Sequence, residues 1–242
     1  MDLLPETRTL LGIDVIASAT NPGYHLNALW QTLSEILDTA LRESSIHPEE
    51  VLENEHTGDG SLYTFPSRDL GLVLDLSQRV DQLAAEHNRW RKPEIRMRIA
   101  VDVGAVGDSR GYYSPKIWRS RLLNSQAFKD IVEHCIQERP DGSVSSGLIV
   151  SSTAFREAFG GNYTRVVRQA EFAEIKVDKK EYHEPAWVRV PGFDARSLGV
   201  LARETVEPER PGSVRNVVHG SMQNSVQAGT VHGGIHLGPS TS

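Results

Sequence analysis

Three features that would each define a class of protein are scarce in this sequence. It contains one cysteine, Cys135, so no disulfide can form within the chain. No apolar run approaches the roughly 20 residues that a membrane-spanning helix needs. The amino-terminal segment 1–6 contains acidic residues and a proline, unlike the basic and apolar start of a signal peptide. We therefore expect a cytoplasmic protein without a membrane partner.

An excess of positive charge is also absent. The 242 residues include 26 lysines and arginines against 32 aspartates and glutamates, which gives a formal net charge of −6. Binding to a nucleic-acid backbone or to an anionic membrane would favour a basic face. We therefore expect neither nucleic acid nor a membrane as the main partner. The apolar fraction, 38%, is large enough to form a hydrophobic core.

The spacing of the apolar residues predicts an α+β fold in which helices pack on a mainly antiparallel sheet. A hairpin is predicted around the turn Thr57-Gly58-Asp59-Gly60, because Asp-Gly suits a tight turn between two strands. Its position between predicted helices excludes a simple doubly wound parallel sheet. Strands are predicted over 9–16, 51–55, 61–65, 95–103, 147–150, 163–167 and 187–190, and helices over 26–41, 66–90, 116–137 and 151–159.

The composition changes after Gly192, which predicts a compact domain over 1–195 and an appendage over 196–242. Residues 203–212 are charged and contain proline, as linkers often do. From residue 216, short valine and isoleucine units alternate with glycine, which fits a disordered tail or small strands that pair with a partner. We favour an interaction segment, since the histidines of this tail lack the cysteine or acidic partners of a zinc site.

Two aspartates suggest metal-ion chemistry. Asp14 lies inside the apolar stretch from Leu10 to Ile16, where a carboxylate must be paired, bind a metal or lie at the strand end. Asp59 occupies the tip of the predicted turn, where an aspartate is usually only a turn former. Together, two carboxylates at one sheet edge can hold two divalent cations against a triphosphate, at a typical spacing of about 3.5–4 Å.

Two further segments suggest phosphate binding. The small residues around Ser18 lead into a predicted helix, and backbone N–H groups at the amino terminus of a helix bind phosphate oxygens. Arg121 lies near the start of the predicted helix 116–137. There it is either a solvated arginine or a clamp for negative charge that develops on a phosphate during reaction.

The order and spacing of four segments resemble the class III adenylate and guanylate cyclase homology domain. These segments are Ile13-Asp14-Val15, Thr57-Gly58-Asp59-Gly60, Arg96 to Gly104 and Arg121-Leu122-Leu123. The resemblance covers roughly residues 10–159. Within the family, the chain is most similar to the compact, stand-alone bacterial cyclases. These include the pyrimidine cyclases of Pycsar antiphage systems, which make cyclic CMP or cyclic UMP and activate a neighbouring effector.

This resemblance implies a ferredoxin-like nucleotidyl cyclase fold and the conversion of a ribonucleoside triphosphate into a 3′,5′-cyclic nucleotide and diphosphate. It implies that Asp14 and Asp59 bind two Mg²⁺ or Mn²⁺ ions, with the backbone carbonyl of Val15 completing one coordination shell. Arg121 would stabilise the transition state from the opposite protomer. The resemblance therefore also implies an obligatory homodimer whose active sites lie at its interface.

The residue at the base-reading position differs from that of adenylate cyclases. Glu55 stands where those enzymes typically have lysine, and a carboxylate can accept hydrogen bonds from guanine or from the cytosine amino group. Tyr112 and Tyr113 either line and narrow a pyrimidine pocket or pack on their own loop. We expect a substrate other than ATP, and favour CTP or UTP.

The ribose-orienting position also departs from the family pattern. Ile117 stands where the family usually has asparagine, and Lys116, Trp118 or Arg119 are the candidates to compensate. This departure leaves two functions open. The first is an active cyclase that makes a second messenger for antiphage defence. The second is a catalytically degenerate, dimeric nucleotide-binding or adaptor module.

The three predicted catalytic residues favour the active enzyme. Asp14, Asp59 and Arg121 are all present, and a purely structural domain has no need of an aspartate inside an apolar strand. Ile117 favours the degenerate module. A relative of the diguanylate cyclases is disfavoured, because the segment 57–60 does not match their acidic hairpin.

Overall fold

The computed structural model covers one compact unit of the chain. The residues that it describes are 5–16, 23–57, 60–107, 113–139 and 143–206. The chain divides into two units, 1–206 and 207–242, and all the described residues belong to the first. The predicted interaction segment therefore lies outside the described residues from residue 207 onward. The first unit ends with a helix that begins at Ala195, where we predicted the domain to end, and that boundary remains a prediction.

Seven strands of the described residues form one sheet. They are β1 Glu6–Val15, β2 Glu53–Thr57, β3 Gly60–Pro66, β4 Met97–Val106, β5 Ser146–Ser151, β6 Ala173–Lys176 and β7 Pro185–Arg189. Their order across the sheet is β2-β3-β1-β4-β5-β7-β6. Every neighbouring pair is antiparallel except β4 and β5, which run parallel.

Helices cover both faces of this sheet. They are α1 Gly23–Glu43, α2 Leu70–Trp90, α3 Ser114–Leu123, α4 Gln126–Glu138, α5 Ser152–Gly160 and α6 Ala195–Val206. Helices α1, α2 and α5 share one hydrophobic core with the sheet, on what we call the first face. Helices α3, α4 and α6 share a second core on the opposite, second face.

The alternation of side chains along β1 decides which residues meet each layer. Successive side chains of a strand point to opposite faces. Leu11 and Ile13 belong to the core of the first face. Gly12 and Asp14, the residues between and after them, therefore belong to the second face, under helix α3.

The predicted fold class is confirmed, because the sheet is mainly antiparallel and carries packed helices. The central hairpin is present as β2 and β3, and the predicted helix from residue 66 to 90 corresponds to α2 with a preceding 3₁₀ turn, Ser67–Asp69. Within the described residues, none of the helices combines the length and the apolar composition that a membrane span requires.

The prediction of one helix over 116–137 is wrong in its continuity. Two helices, α3 and α4, replace it, because Ser125 has an extended backbone with φ −67° and ψ 137°. Serine favours such positions at helix amino termini. The apolar periodicity continues across this break, so periodicity alone does not reveal it.

The strand predicted over 163–167 is absent, and the short strand β6 was not predicted. The backbone N–H groups of Arg165, Val166 and Val167 donate to the carboxylate of Asp75 at 2.7, 3.0 and 2.9 Å, instead of to a neighbouring strand. Strand β6 has only four residues, two of them charged, so its sequence carries little strand signal.

Candidate active site

Asp14 lies at the end of β1, between two neighbouring strands. The register pairs it with Gly60 of β3 on one side and with Arg98 of β4 on the other. A guanidinium nitrogen of Arg98 donates to Oδ2 of Asp14, and the two side chains are 15% and 14% exposed. The carboxylate is therefore largely sheltered and held by a cation at the end of a central strand.

The β2–β3 hairpin reaches Asp14 through a glycine. A Cβ atom at Gly60 would collide with the backbone oxygen of Ile13, so only glycine allows this close approach. Gly58 and Asp59 lie outside the described residues, and so does Ser18. The register nevertheless places Asp14 opposite Gly60, the residue that directly follows Asp59 in the chain. The roles of Asp59 and Ser18 remain predictions.

Val15, the third predicted metal ligand, ends the same strand. Its side chain is 5% exposed and belongs to the core of the first face. It pairs with Met97 at the start of β4. Within the described residues, no three histidine, cysteine, aspartate or glutamate side chains come together as a metal-binding group.

An open cleft of about 780 Å³ lies between β2 and helix α3. Four predicted site residues line it together, namely Glu55, Lys116, Arg119 and Arg121, and so does Ile117, which stands where the family usually has asparagine. Glu53, Asn54, His56, Leu62 and Ser120 complete its lining. Residues from two distant parts of the sequence, predicted separately to contact substrate, thus share one cavity.

An ion pair closes one side of the cleft. Lys116 Nζ lies 2.6 Å from Oε2 of Glu53, and the Thr64 hydroxyl donates to the same oxygen at 3.1 Å. Burial acts to raise the pKa of Glu53, but these hydrogen bonds outweigh it and hold that pKa below its ordinary value. Glu53 is therefore a carboxylate at neutral pH, and Lys116 is already engaged by it.

Arg119 forms the inner wall of the cleft. The residue is 3% exposed, and burial lowers its pKa to about 10, so it remains charged at neutral pH. Its carbon chain packs over Gly12, where an added Cβ would lie 3.1 Å from Cδ of Arg119. Nη1 donates to the backbone oxygen of Tyr63 at 3.5 Å, whereas Nε finds no hydrogen-bond acceptor in the part of the chain that the structure describes.

Arg121 faces the cleft but is already paired. Its Nε and Nη2 atoms both lie 3.0 Å from Oε1 of Glu181, in the segment between β6 and β7. A hydrogen bond from its own backbone, together with the pair to Arg121, lowers the pKa of Glu181. Next to this pair, Tyr182 packs edge-on against Trp118 of α3 at 6.1 Å between ring centroids. The segment therefore holds helix α3 at two points.

Tyr113 is not among the residues that line the cleft. It precedes α3, and its phenol ring lies against Gly107, just beyond the end of β4. Tyr112 lies outside the described residues. Of the two sequence alternatives for Tyr113, the contact with Gly107 corresponds to packing on its own loop.

Three residues of the site carried no role in the sequence analysis. Arg98 binds Asp14 from 84 positions away, Glu181 binds Arg121 from 60 positions away, and Glu53 binds Lys116 from 63 positions away. Each partner is brought close by strand register or by the second face of the sheet. The one sequence signal was Arg98, a charged residue that alternates with apolar ones in a predicted strand.

The fold is that of solved nucleotide cyclases. The guanylyl cyclase Cya2 matches with a TM-score of 0.53 and 12% identity, over 81% of this chain and 99% of that one. An adenylate/guanylate cyclase/hydrolase from Silicibacter pomeroyi matches at 0.51 and 17%, over 78% and 98%. The guanylate cyclase domain of RhGC from Catenaria anguillulae, in complex with GTP, matches at 0.50 and 14%, over 78% and 98%.

These likenesses establish the fold and nothing finer, because all three identities are below 20%. The predicted nucleotidyl cyclase fold is thereby confirmed. No protein-family model matches the sequence, and no curated protein matches it. Any reaction must therefore be argued from the side chains themselves.

Proposed function

We propose that this protein is a divalent-cation-dependent nucleotide cyclase, which converts a ribonucleoside triphosphate into a 3′,5′-cyclic nucleotide and diphosphate. The observation that carries the proposal is the position of Asp14, a sheltered carboxylate at the end of a central strand, beside Arg98 and opposite the hairpin glycine. The cleft between β2 and α3 supports it with three basic side chains on a fold that nucleotide cyclases share.

The ligand atoms at the end of β1 suit a hard cation. The carboxylate of Asp14 and the backbone carbonyl of Val15 offer oxygens, which Mg²⁺ and Mn²⁺ prefer. We propose that Asp59 adds the second carboxylate for a pair of ions. When bound, such ions neutralise the triphosphate and lower the pKa of the attacking hydroxyl group. Arg98 supplies a further positive charge at the same strand end.

We propose that Arg121 stabilises the negative charge that develops on the phosphate during the reaction. Its guanidinium can donate two parallel hydrogen bonds to phosphate oxygens, which become more negative as the 3′-hydroxyl attacks the α-phosphate. We propose that Arg121 serves the Asp14 site of the opposite protomer in a homodimer. The active sites then lie at the subunit interface, and an isolated protomer is inactive.

For the base, we propose CTP or UTP. Glu55 lines the cleft and brings an acceptor to a position at which adenylate cyclases typically have a lysine. The product would be cyclic CMP or cyclic UMP, a second messenger in antiphage defence that acts on a cyclic-nucleotide-activated effector. Residues 196–206 of the predicted appendage lie in the packed helix α6, so we propose that the remainder, residues 207–242, acts as a linker and interaction segment. A truncation after residue 206 should abolish partner binding and keep cyclase activity.

The decisive experiment supplies the purified protein with Mn²⁺ and an equal mixture of the four nucleoside triphosphates. We expect diphosphate release and accumulation of one cyclic nucleotide, identified by mass spectrometry. Asp38→Asn, on helix α1 of the first face, is the control for Asp14→Asn, which should abolish product. A folded, dimeric protein that consumes no triphosphate at any Mn²⁺ or Mg²⁺ concentration would refute the proposed cyclase activity.

The dimer is tested by mixing two inactive variants. Asp14→Asn and Arg121→Met should each be inactive alone, whereas random mixing should restore about a quarter of the wild-type activity, because only the mixed dimer contains one intact site of two. Active sites made within one protomer would give no recovery.

Ile117 is the observation that favours a second function. It lines the cleft, and its apolar side chain cannot hydrogen-bond a ribose hydroxyl. A catalytically degenerate module would bind nucleotide or dimerise without turnover, with the tail as adaptor. Nucleotide binding without any product in the mixture assay would select this alternative.

A further inference from the structure

The inner wall of the cleft contains a buried cation with an unsatisfied hydrogen-bond donor. A guanidinium has five N–H donors. Arg119 donates from Nη1 to Tyr63 at the 3.5 Å limit of a hydrogen bond, and its buried Nε has no acceptor within the described residues. Leaving a buried donor without an acceptor is unfavourable. The open volume of the cleft is the direction from which an acceptor can arrive.

The neighbouring carboxylates do not take up these donors. Glu53, Glu55 and Asp102 attract Arg119 electrostatically. Glu53, however, accepts from Lys116 and Thr64, and none of the hydrogen bonds among the described residues joins Arg119 to one of these acids. The acids therefore keep the guanidinium charged without satisfying it.

The stem of Arg119 is fixed by packing. Gly12 leaves a gap on β1 that the Cδ and Cγ atoms of Arg119 fill, and an added Cβ there would lie 3.1 and 3.3 Å from them. A purely structural arginine would also pack in this way, but its donors would end on acceptors of the protein. Arg119 lines the cleft, and its Nε has no such acceptor within the described residues, so the packing acts as a preorganised support for a ligand contact.

The cleft pairs acceptors with donors. Glu55 is an acceptor, Arg119 is a donor, and both line the same wall region between β2 and α3. A planar ligand edge that carries both N–H and C=O groups matches this arrangement. Guanine, cytosine and uracil derivatives carry an exocyclic oxygen, whereas adenine carries none, and arginine is a frequent partner of such an oxygen in base recognition.

We infer that Arg119 determines base specificity by donating hydrogen bonds to an exocyclic carbonyl oxygen of the nucleobase. The cleft then accepts oxo-bearing bases and rejects adenine. This inference rests on the proposed function, because it takes the ligand to be a nucleoside triphosphate. It assigns to the buried side chain a role separate from that of Arg121, which faces the phosphates.

The test measures binding apart from turnover. Equilibrium affinities of the 3′-deoxy forms of ATP, GTP, CTP and UTP, which lack the attacking hydroxyl, are determined by calorimetry with Mg²⁺. Wild-type protein should bind at least one oxo-base analogue about tenfold or more tightly than 3′-deoxy-ATP. Arg119→Met keeps the apolar stem but loses the donors, so the preference should collapse toward equality.

Two further variants make the result specific. Arg121→Met should weaken all four analogues by a similar factor, and Arg89→Met, an exposed arginine on α2, should change none. If Arg119→Met does not fold, Arg119→Lys replaces it and should lose most of the preference, because a single ammonium cannot reproduce the fork geometry.

The outcomes separate this inference from the proposed function. A folded Arg119→Met protein with an unchanged base preference, or a wild-type protein that binds 3′-deoxy-ATP as tightly as the others, overturns the inference even if cyclic nucleotide is made. Base-selective binding that depends on Arg119, in a protein that makes no cyclic nucleotide, upholds the assignment and refutes the cyclase.

Discussion

The two faces of the sheet differ in what they bury. Besides its apolar core, the first face buries two polar residues of α2, Asp81 and Asn88, and both are hydrogen-bonded to protein groups. The second face, under α3, buries Asp102 and Arg119, whose Oδ2 and Nε atoms have no hydrogen-bond partner within the described residues. Burying a charged or polar group without a partner costs free energy that a paired group avoids. The contrast indicates that the first face mainly maintains the fold, whereas the second face, which carries the cleft, buries charge at a cost in stability.

The largest effect on activity is expected from Asp14→Asn, a substitution on the second face. We expect cyclase activity to fall at least about a thousandfold, because the carboxylate that holds the cations is lost. The melting temperature should also fall, because Arg98, which is 15% exposed, loses its carboxylate partner. Activity per folded molecule and circular dichroism are the measurements. Activity above a tenth of wild type would remove Asp14 from the site.

A substitution in the apolar core of the first face should instead affect stability and not activity. Phe65 is fully buried in β3 and stacks on Tyr63 at 6.0 Å between ring centroids. Phe65→Ala should lower the free energy of unfolding by about 3–5 kcal/mol. The cyclase activity of the protein that remains folded should be unchanged, as checked by denaturant titration and by assay at low temperature. Selective loss of activity without loss of stability would contradict the division between faces.

A buried carboxyl on the second face should make stability depend on pH. Burial raises the pKa of Asp102 to about 6, although the Val103 N–H donates to it at 2.8 Å. The folded state then holds the proton more tightly than the unfolded state, so stability should fall as pH rises from about 4 to 6. Asp102→Asn removes this penalty. It should stabilise the protein at pH 7–8 by up to about 3 kcal/mol, since one pKa unit is about 1.4 kcal/mol.

The gain from Asp102→Asn should disappear below about pH 4, where both states are protonated. Urea titrations of the wild type and the variant at pH 4, 6 and 8 measure it. A constant difference across this range would mean that Asp102 does not titrate as its burial suggests.

The smallest expected effect concerns the pair of Glu181 and Arg121. Glu181→Gln frees the guanidinium, so the substrate no longer competes with a carboxylate for it. We expect a two- to fivefold decrease in KM with little change in kcat, because an exposed ion pair of this kind is weak. Glu174→Gln, an exposed acid on β6, is the matched control. An increase in KM would instead make Glu181 a support that orients Arg121 for the substrate.

The sequence was sufficient for the fold class because hydrophobic periodicity is a local property. The central hairpin and α2 follow directly from such patterns and from the Asp-Gly turn. The break at Ser125 was not predicted, because a single capping residue interrupts an apolar periodicity that continues in phase on both sides. Strand β6 was not predicted, because its four residues are too few to show a pattern.

The same distinction between local and long-range information applies to the candidate site. Asp14 could be proposed because a charge inside an apolar strand is visible in the sequence. The partner of each predicted residue could not, because Arg98 and Glu181 reach Asp14 and Arg121 only through strand register and tertiary packing. Sequence therefore suggested which side chains could carry chemistry, and the fold was needed to show what already binds them.

Gly12 connects the packing of the sheet with the wall of the cleft. It lies on a central strand, and an added Cβ would come within 2.8 Å of Leu123 and 3.1 Å of Arg119. Replacing one hydrogen by a methyl group would therefore force the side chains of Leu123 and Arg119 to shift. Because Arg119 lines the cleft, the shape of that wall depends on the absence of a side chain on the strand beneath the helix.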